Sequence, residues 1–168
     1  LSLDIKFYHA ADEDLGGAID TGNLIGTAAS TGVQNSPVGE LTDTITSALD
    51  GGAITSYFKK VWMKNEDGND IANPTLFFSM LSYPGQLSFA REKSANDTTA
   101  SQLTMPSGYV DGDFLSPNSY DDRVPLFADT SALTNNSTGA VWVRIQVPAG
   151  MTADPSAALR LNFIGYRS

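Results

Sequence analysis

Few residues in this chain are equipped for chemistry. His9 is the sole histidine and there is no cysteine, which removes thiolate metal sites, thiol nucleophiles and disulfides together. A hydroxyl nucleophile needs a base within hydrogen-bond reach. His9 is the one imidazole on offer, at the end of a predicted strand and close to Asp12-Glu13-Asp14, and no Gly-x-Ser-x-Gly elbow presents a serine. A strand-end surface position is the simpler reading of His9. Oxygen-only metal sites come next. Asp67-Gly68-Asn69-Asp70 and Asp111-Gly112-Asp113 carry donors of the kind Ca²⁺ and Mg²⁺ take. Neither has the alternating ligands and terminal Glu of an EF-hand, and Asp-Gly-Asn is equally the alphabet of a tight turn. With 19 acids in the chain, carboxylate pairs at glycosidase separation arise by chance, so counting them decides nothing. Glycine-rich phosphate-cradling motifs are absent. No catalytic residue, metal ligand or cofactor is therefore expected, and the chain reads as a protein that binds or scaffolds rather than an enzyme.

Aromatic side chains supply a different kind of chemistry, stacking. Trp62, Trp142, Tyr57, Tyr109, Tyr120 and Tyr166 are available, and Tyr109, Tyr120 and Trp142 are the candidates for a glycan platform. Trp62 and Trp142 sit on predicted strands, out of phase with the aliphatic row. The neighbours of Trp142 on its own face, Arg144 and Gln146, are polar, so its ring is expected to be partly exposed or covered by a loop. Packing is the simpler reading, since aromatics supply much of a sandwich's buried area.

These residues must be positioned by extended chain. Leu3, Ile5 and Phe7 alternate with Asp4, Lys6 and Tyr8, the period-two pattern of a strand with one buried face. Tyr57–Lys64 is β-prone with large residues on both faces, and Asn65–Asp70 is a turn, Asp-Gly being a strong hairpin cue. Pro74–Ser82 reads as a core strand with its proline at the first position. Gln86–Glu92 follows the Tyr83-Pro84-Gly85 turn. Leu126-Phe127 and Leu133 are expected to plug the core from irregular segments. Ala140–Val147 is the strongest strand, with Val141, Val143, Ile145 and Val147 on one face, and Ala158–Tyr166 is the last. No segment holds a helical apolar period over three turns, so at most short helices are expected.

Strands divided by turn signals, without helical crossovers, pair antiparallel and pack as two layers. The expectation for residues 1–168 is one all-β domain, an antiparallel β-sandwich of Ig-like or jelly-roll-like kind. Residues 9–52 hold few large apolar residues and are punctuated by glycine. They are expected as a long N-terminal arm or loop, with a short strand or turn near Leu41–Leu49; a loop of such length usually serves function or a partner.

Charge narrows the partners. The formal net charge is −9, from 19 acids against 10 bases, and an acidic surface repels phosphate backbones, so nucleic-acid binding is not expected. No apolar run approaches the roughly 20 residues of a membrane-spanning helix, and no basic segment leading into an apolar run marks a signal peptide. Neither a nucleic acid nor a membrane is expected as partner.

Three stretches carry a resemblance. Ile5-Lys6-Phe7-Tyr8 followed by Leu15-Gly16-Gly17-Ala18-Ile19, then Tyr57–Asn65 ending in Lys-Asn, then Gly139–Gly150 with Trp142 and the closing Pro-Ala-Gly, together resemble small virion structural proteins of tailed bacteriophages, a family of capsid decoration and minor capsid β-sandwiches. The longer Gly/Ala/Thr-rich segment between Gly17 and Tyr57 departs from that pattern. The resemblance implies a viral protein located in the virion, assembled in the host cytoplasm, that binds the phage head. Its partners would be the major capsid protein or neighbouring virion subunits. Leu15, Gly16, Gly17, Ile19, Leu24 and Ile25 would form the arm that contacts the capsid. A homo-oligomer is allowed, as is a monomer at pseudo-equivalent positions. The alternative function is a carbohydrate- or receptor-binding module of a tail or fibre.

Overall fold

Alternation along the strands decides the architecture. The computed structural model describes residues 3–10, 19–27, 33–37, 55–80, 86–93, 101–102, 105–147 and 159–168. Within them lie ten strands: β1 (Ile5–Ala10), β2 (Ile19–Thr27), β3 (Val33–Pro37), β4 (Thr55–Asn65), β5 (Ile71–Met80), β6 (Gln86–Arg91), β7 (Ser101–Gln102), β8 (Val124–Pro125), β9 (Thr138–Val147) and β10 (Leu159–Arg167). The one helical element among the described residues is a single 3-10 turn, Asp111–Asp113. The protein is an all-β sandwich of two antiparallel sheets. The first runs β2-β1-β4-β9-β6, with β7 pairing on β4, and the second runs β3-β10-β5-β8.

The aliphatic rows face one another between the sheets. From the first sheet come Ile5, Phe7, Val61, Met63, Leu87, Phe89, Val141, Val143 and Ile145; from the second come Ile71, Leu76, Phe78, Leu161 and Phe163. Leu126 and Leu133, both from irregular chain, are buried in the same cluster, as expected from the sequence. A buried row of this kind fixes register, because a one-residue slip would turn every side chain to the opposite face.

The proline of β5 departs from expectation in an informative way. The strand starts at Ile71, so Pro74 lies inside it. Thr75 pairs with Ile164 and Ala72 with Tyr166, leaving one extra residue on β5: a bulge. Asn73 takes the left-handed conformation there, φ 50°, which Asn tolerates better than most residues. A bulge is where a strand accepts a proline. Opposite it lies Gly165, where a Cβ would come 2.2 Å from Ile71 Cγ2. The β4–β5 corner is held by Asn65, fully buried: its Nδ2 donates to the carbonyls of Asn69 and Leu133, both at 2.8 Å, and its Oδ1 accepts from Asp67 N–H.

The stretch 9–52, expected as an arm or loop, holds two strands where it is described. β2 pairs with β1 and β3 pairs with β10, so this stretch supplies the terminal strand of each sheet. The weak apolar pattern that suggested a loop is a property of edge strands, which require less burial than central ones. Leu41–Leu49 lies outside the described residues.

Candidate functional site

The outer face of the first sheet is covered, and this decides the fate of the expected glycan platform. On β4, β6 and β9 the outward positions are Phe58, Lys60, Trp62, Ser88, Ala90, Ala140, Trp142 and Arg144, all buried. Chain from Met105 to Phe114 crosses this face. Phe58, Ala90, Tyr109, Phe114 and Trp142 form a second apolar cluster, with Met105 packed against it. The Tyr109 ring meets Trp142 edge-on at 6.4 Å, and Phe114 meets Phe58 at 5.5 Å.

Charge fastens this cover to the sheet. Arg144 Nε donates to Ser88 Oγ at 2.9 Å and Nη1 to Asp111 Oδ1 at 2.6 Å, while its guanidinium lies over the Phe114 ring. Lys93 Nζ donates to Asp113 Oδ2 at 2.5 Å and to the Gly108 carbonyl. The Lys93 ammonium, followed by the Val110 N–H, holds the Asp113 carboxyl below its ordinary value. Lys60, 1% exposed, donates to Glu92 at 2.5 Å beside the Trp62 ring. A buried ammonium persists only with such a counter-ion.

Each expected site residue can now be placed. Trp142 is 0% and Tyr109 6% exposed, so neither presents a ring face to a sugar, and the glycan platform built on them is corrected: loop packing has taken both. Tyr120, 45% exposed, lies apart, edge-on to Phe77 of β5 with the Arg123 guanidinium 4.1 Å over its ring. Of the arm residues, Ile19, Leu24 and Ile25 fall on β2; Leu15, Gly16 and Gly17 lie outside the described residues. His9 falls on β1.

Carboxylates of both acidic turns accept bonds from protein donors. Asp67 is held by Arg167, Asn69 and the Asp4 N–H, and Asp111 and Asp113 by Arg144 and Lys93. Among the described residues no group of three or more His, Cys, Asp or Glu side chains is arranged to hold a metal ion. No described helix is long and apolar enough to cross a membrane.

The two sides of the sandwich differ. On one side, among the described residues, the sheets end in β2 and β3, which lie against each other. On the other, the chain from Leu115 to Leu133 seals the edges. Phe89 and Leu115 exchange both main-chain hydrogen bonds, Phe78 N–H donates to the Pro117 carbonyl, Leu126 N–H donates to that of Pro74, and Ile71 and Leu133 exchange a further pair. Beside this seal a cleft of about 420 Å³ is lined by Phe89, Arg91, Glu92, Gly112, Asp113 and Leu115 among others. Sequence reasoning missed this cleft, because nothing in a lone arginine at a strand end marks it.

No protein-family model, curated protein or solved structure matches the chain.

Proposed function

We propose that the protein is a virion structural protein, a decoration or minor capsid protein that binds a phage head through the β2–β3 side of its sandwich. The observation that carries this reading is the asymmetry of the two edges. One side is capped by the Leu115–Leu133 segment through paired main-chain bonds, whereas among the described residues the other terminates in two strands drawn from a single stretch, 19–37. Terminal strands offer N–H and C=O groups to a neighbouring chain, and strand addition uses them for affinity. The resemblance of Ile5–Tyr8, Tyr57–Asn65 and Gly139–Gly150 to tailed-phage virion proteins supplies the kind of partner: the major capsid protein or an adjacent virion subunit. Aromatic clusters, acidic turns and buried cations all serve the fold in this reading, and none is assigned to turnover.

Hydrogen exchange on the protein free and bound to particles tests the docking edge. Slowed exchange concentrated in residues 19–37 is the expected result. Protection confined to the Leu115–Leu133 side would overturn the assignment of that edge.

A further inference from the structure

We propose that the cleft beside Arg91 is a peptide-binding slot, which takes an extended segment of a partner protein carrying a carboxylate. The site goes beyond the β2–β3 docking edge and lies on the opposite side of the sandwich.

Main-chain direction is the first observation. Phe89 N–H donates to the Leu115 carbonyl at 2.8 Å and Leu115 N–H returns the bond at 2.9 Å, while Glu92 N–H donates inward to Ala140 of β9. Donor direction alternates along a strand, so Arg91 points its N–H and C=O the same way as Phe89, away from β9. The residue that would continue the pairing opposite Arg91 is Asp113, but the chain is diverted there by the 3-10 turn Asp111–Asp113. The ladder that Leu115 begins therefore stops one step short. Among the described residues no bond meets the outward main-chain groups of Arg91, and the cleft opens at this place.

The second observation is charge. Three of the four charged side chains lining the cleft are committed: Glu92 to Lys60, and Lys93 and Asp113 to each other. Arg91 is engaged through Nε alone, which donates to the Pro125 carbonyl at 2.8 Å. That bond fixes the guanidinium while Nη1 and Nη2 meet no partner among the described residues. A guanidinium anchored at Nε presents two parallel donors, the geometry that recognises a carboxylate. The third observation is an apolar rim: Leu115, beside the cleft, is 40% exposed. A volume of about 420 Å³ lies within the roughly 300–1,000 Å³ of ligand sites. One outward N–H and C=O, a fork of two cationic donors and the exposed Leu115 rim together make the recognition unit of strand addition with a side-chain pocket.

The test titrates ¹⁵N-labelled full-length protein with blocked peptides: acetyl-Thr-Val-Glu-Val-Thr-amide, its Gln counterpart, and acetyl-Thr-Val-Thr-Val with a free or amidated C-terminus. The expected result is saturable shifts at the Arg91, Gly112 and Leu115 amides, with the carboxylate form bound about ten-fold or more tightly than its neutral partner. Whether the Glu peptide or the free C-terminus wins identifies the source of the carboxylate. Arg91→Met should erase the preference. Leu115→Glu, at an exposed rim position, should weaken carboxylate peptides selectively by repulsion and keeps the test decisive if Arg91→Met does not fold. Equal affinity for charged and neutral peptides, shifts remote from the cleft, or no saturable shift would each overturn the proposal.

Discussion

Arg167 and Asp67, 100 residues apart, meet fork to fork: Nε donates to Oδ1 and Nη2 to Oδ2, each at 2.6 Å. The pair ties the end of β10 to the β4–β5 turn, and the Asp67 side chain is 1% exposed against 31% for Arg167. Asn69 Nδ2 and Asp4 N–H complete the carboxylate's shell. The Arg167 bonds chiefly, then those from Asn69 and Asp4, outweigh the opposing effect of burial and lower the Asp67 carboxyl from its ordinary 3.8 to about 2.

A depressed acid contributes stability that is complete above its unfolded value and disappears as pH falls through the folded one. The Asp67 contribution is thus present above about pH 4 and lost toward pH 2. Asp67→Asn should cost about 1 kcal/mol at neutral pH, a figure discounted for the solvent reaching Arg167. The gap between variant and parent should close between pH 4 and pH 2. Urea unfolding at stepped pH checks this, and a gap unchanged at pH 2 would contradict the pair's role.

Replacing Asn65 by Ala should destabilise by about 2–3 kcal/mol, since a buried side chain making three hydrogen bonds is removed and Asp67 N–H loses its acceptor. Asn65→Asp should be worse, because a carboxylate would face the carbonyls of Asn69 and Leu133. Chemical denaturation of the two variants gives the order.

Trp142→Ala should cost about 3–5 kcal/mol, the range for truncating a buried large aromatic, and Tyr120→Ala about 0.5 kcal/mol or less, as expected at an exposed position. Thermal melts distinguish them. If Trp142→Ala left the melting temperature unchanged, the covered outer face of the first sheet would be wrong.

Gly165→Ala places a methyl group 2.2 Å from Ile71 Cγ2 and 3.3 Å from the Ala72 carbonyl. Ile71 is fully buried in the core, so relief requires moving the bulge or the core, a cost of about 1–3 kcal/mol. Equilibrium unfolding of this variant measures that cost.

Where burial is one-sided, the sequence was readable. Val141, Val143 and Ile145 alternate with other residue types and do form the inner row. The polar residues on the opposite face of β9 left two outcomes open, a partly exposed Trp142 ring or one covered by a loop, and the loop covers it: Arg144 is buried, and Asp111, 33 positions away, reaches it from a turn. No local pattern encodes that meeting, and the same is true of Lys60 with Glu92. The doubled aromatic content of Phe58 and Trp62 on the outward phase of β4 was the available sign that this face would be covered. β2 and β3 were hidden for another reason: Ile19–Thr27 and Val33–Pro37 lack the alternating large apolar residues by which a strand is recognised in sequence. Pro74 misled because its bulge depends on Gly165, which lies 91 residues further along the chain. At Arg91 the cleft depends on where a 3-10 turn diverts the chain, a matter of tertiary path rather than residue type.

Quantitative mass spectrometry of purified virions, comparing this chain with the major capsid protein, tests the structural role most directly. A decoration protein should be present at a copy number of the same order as the capsid subunit. A handful of copies per particle, or absence from particles that contain every other virion protein, would contradict it.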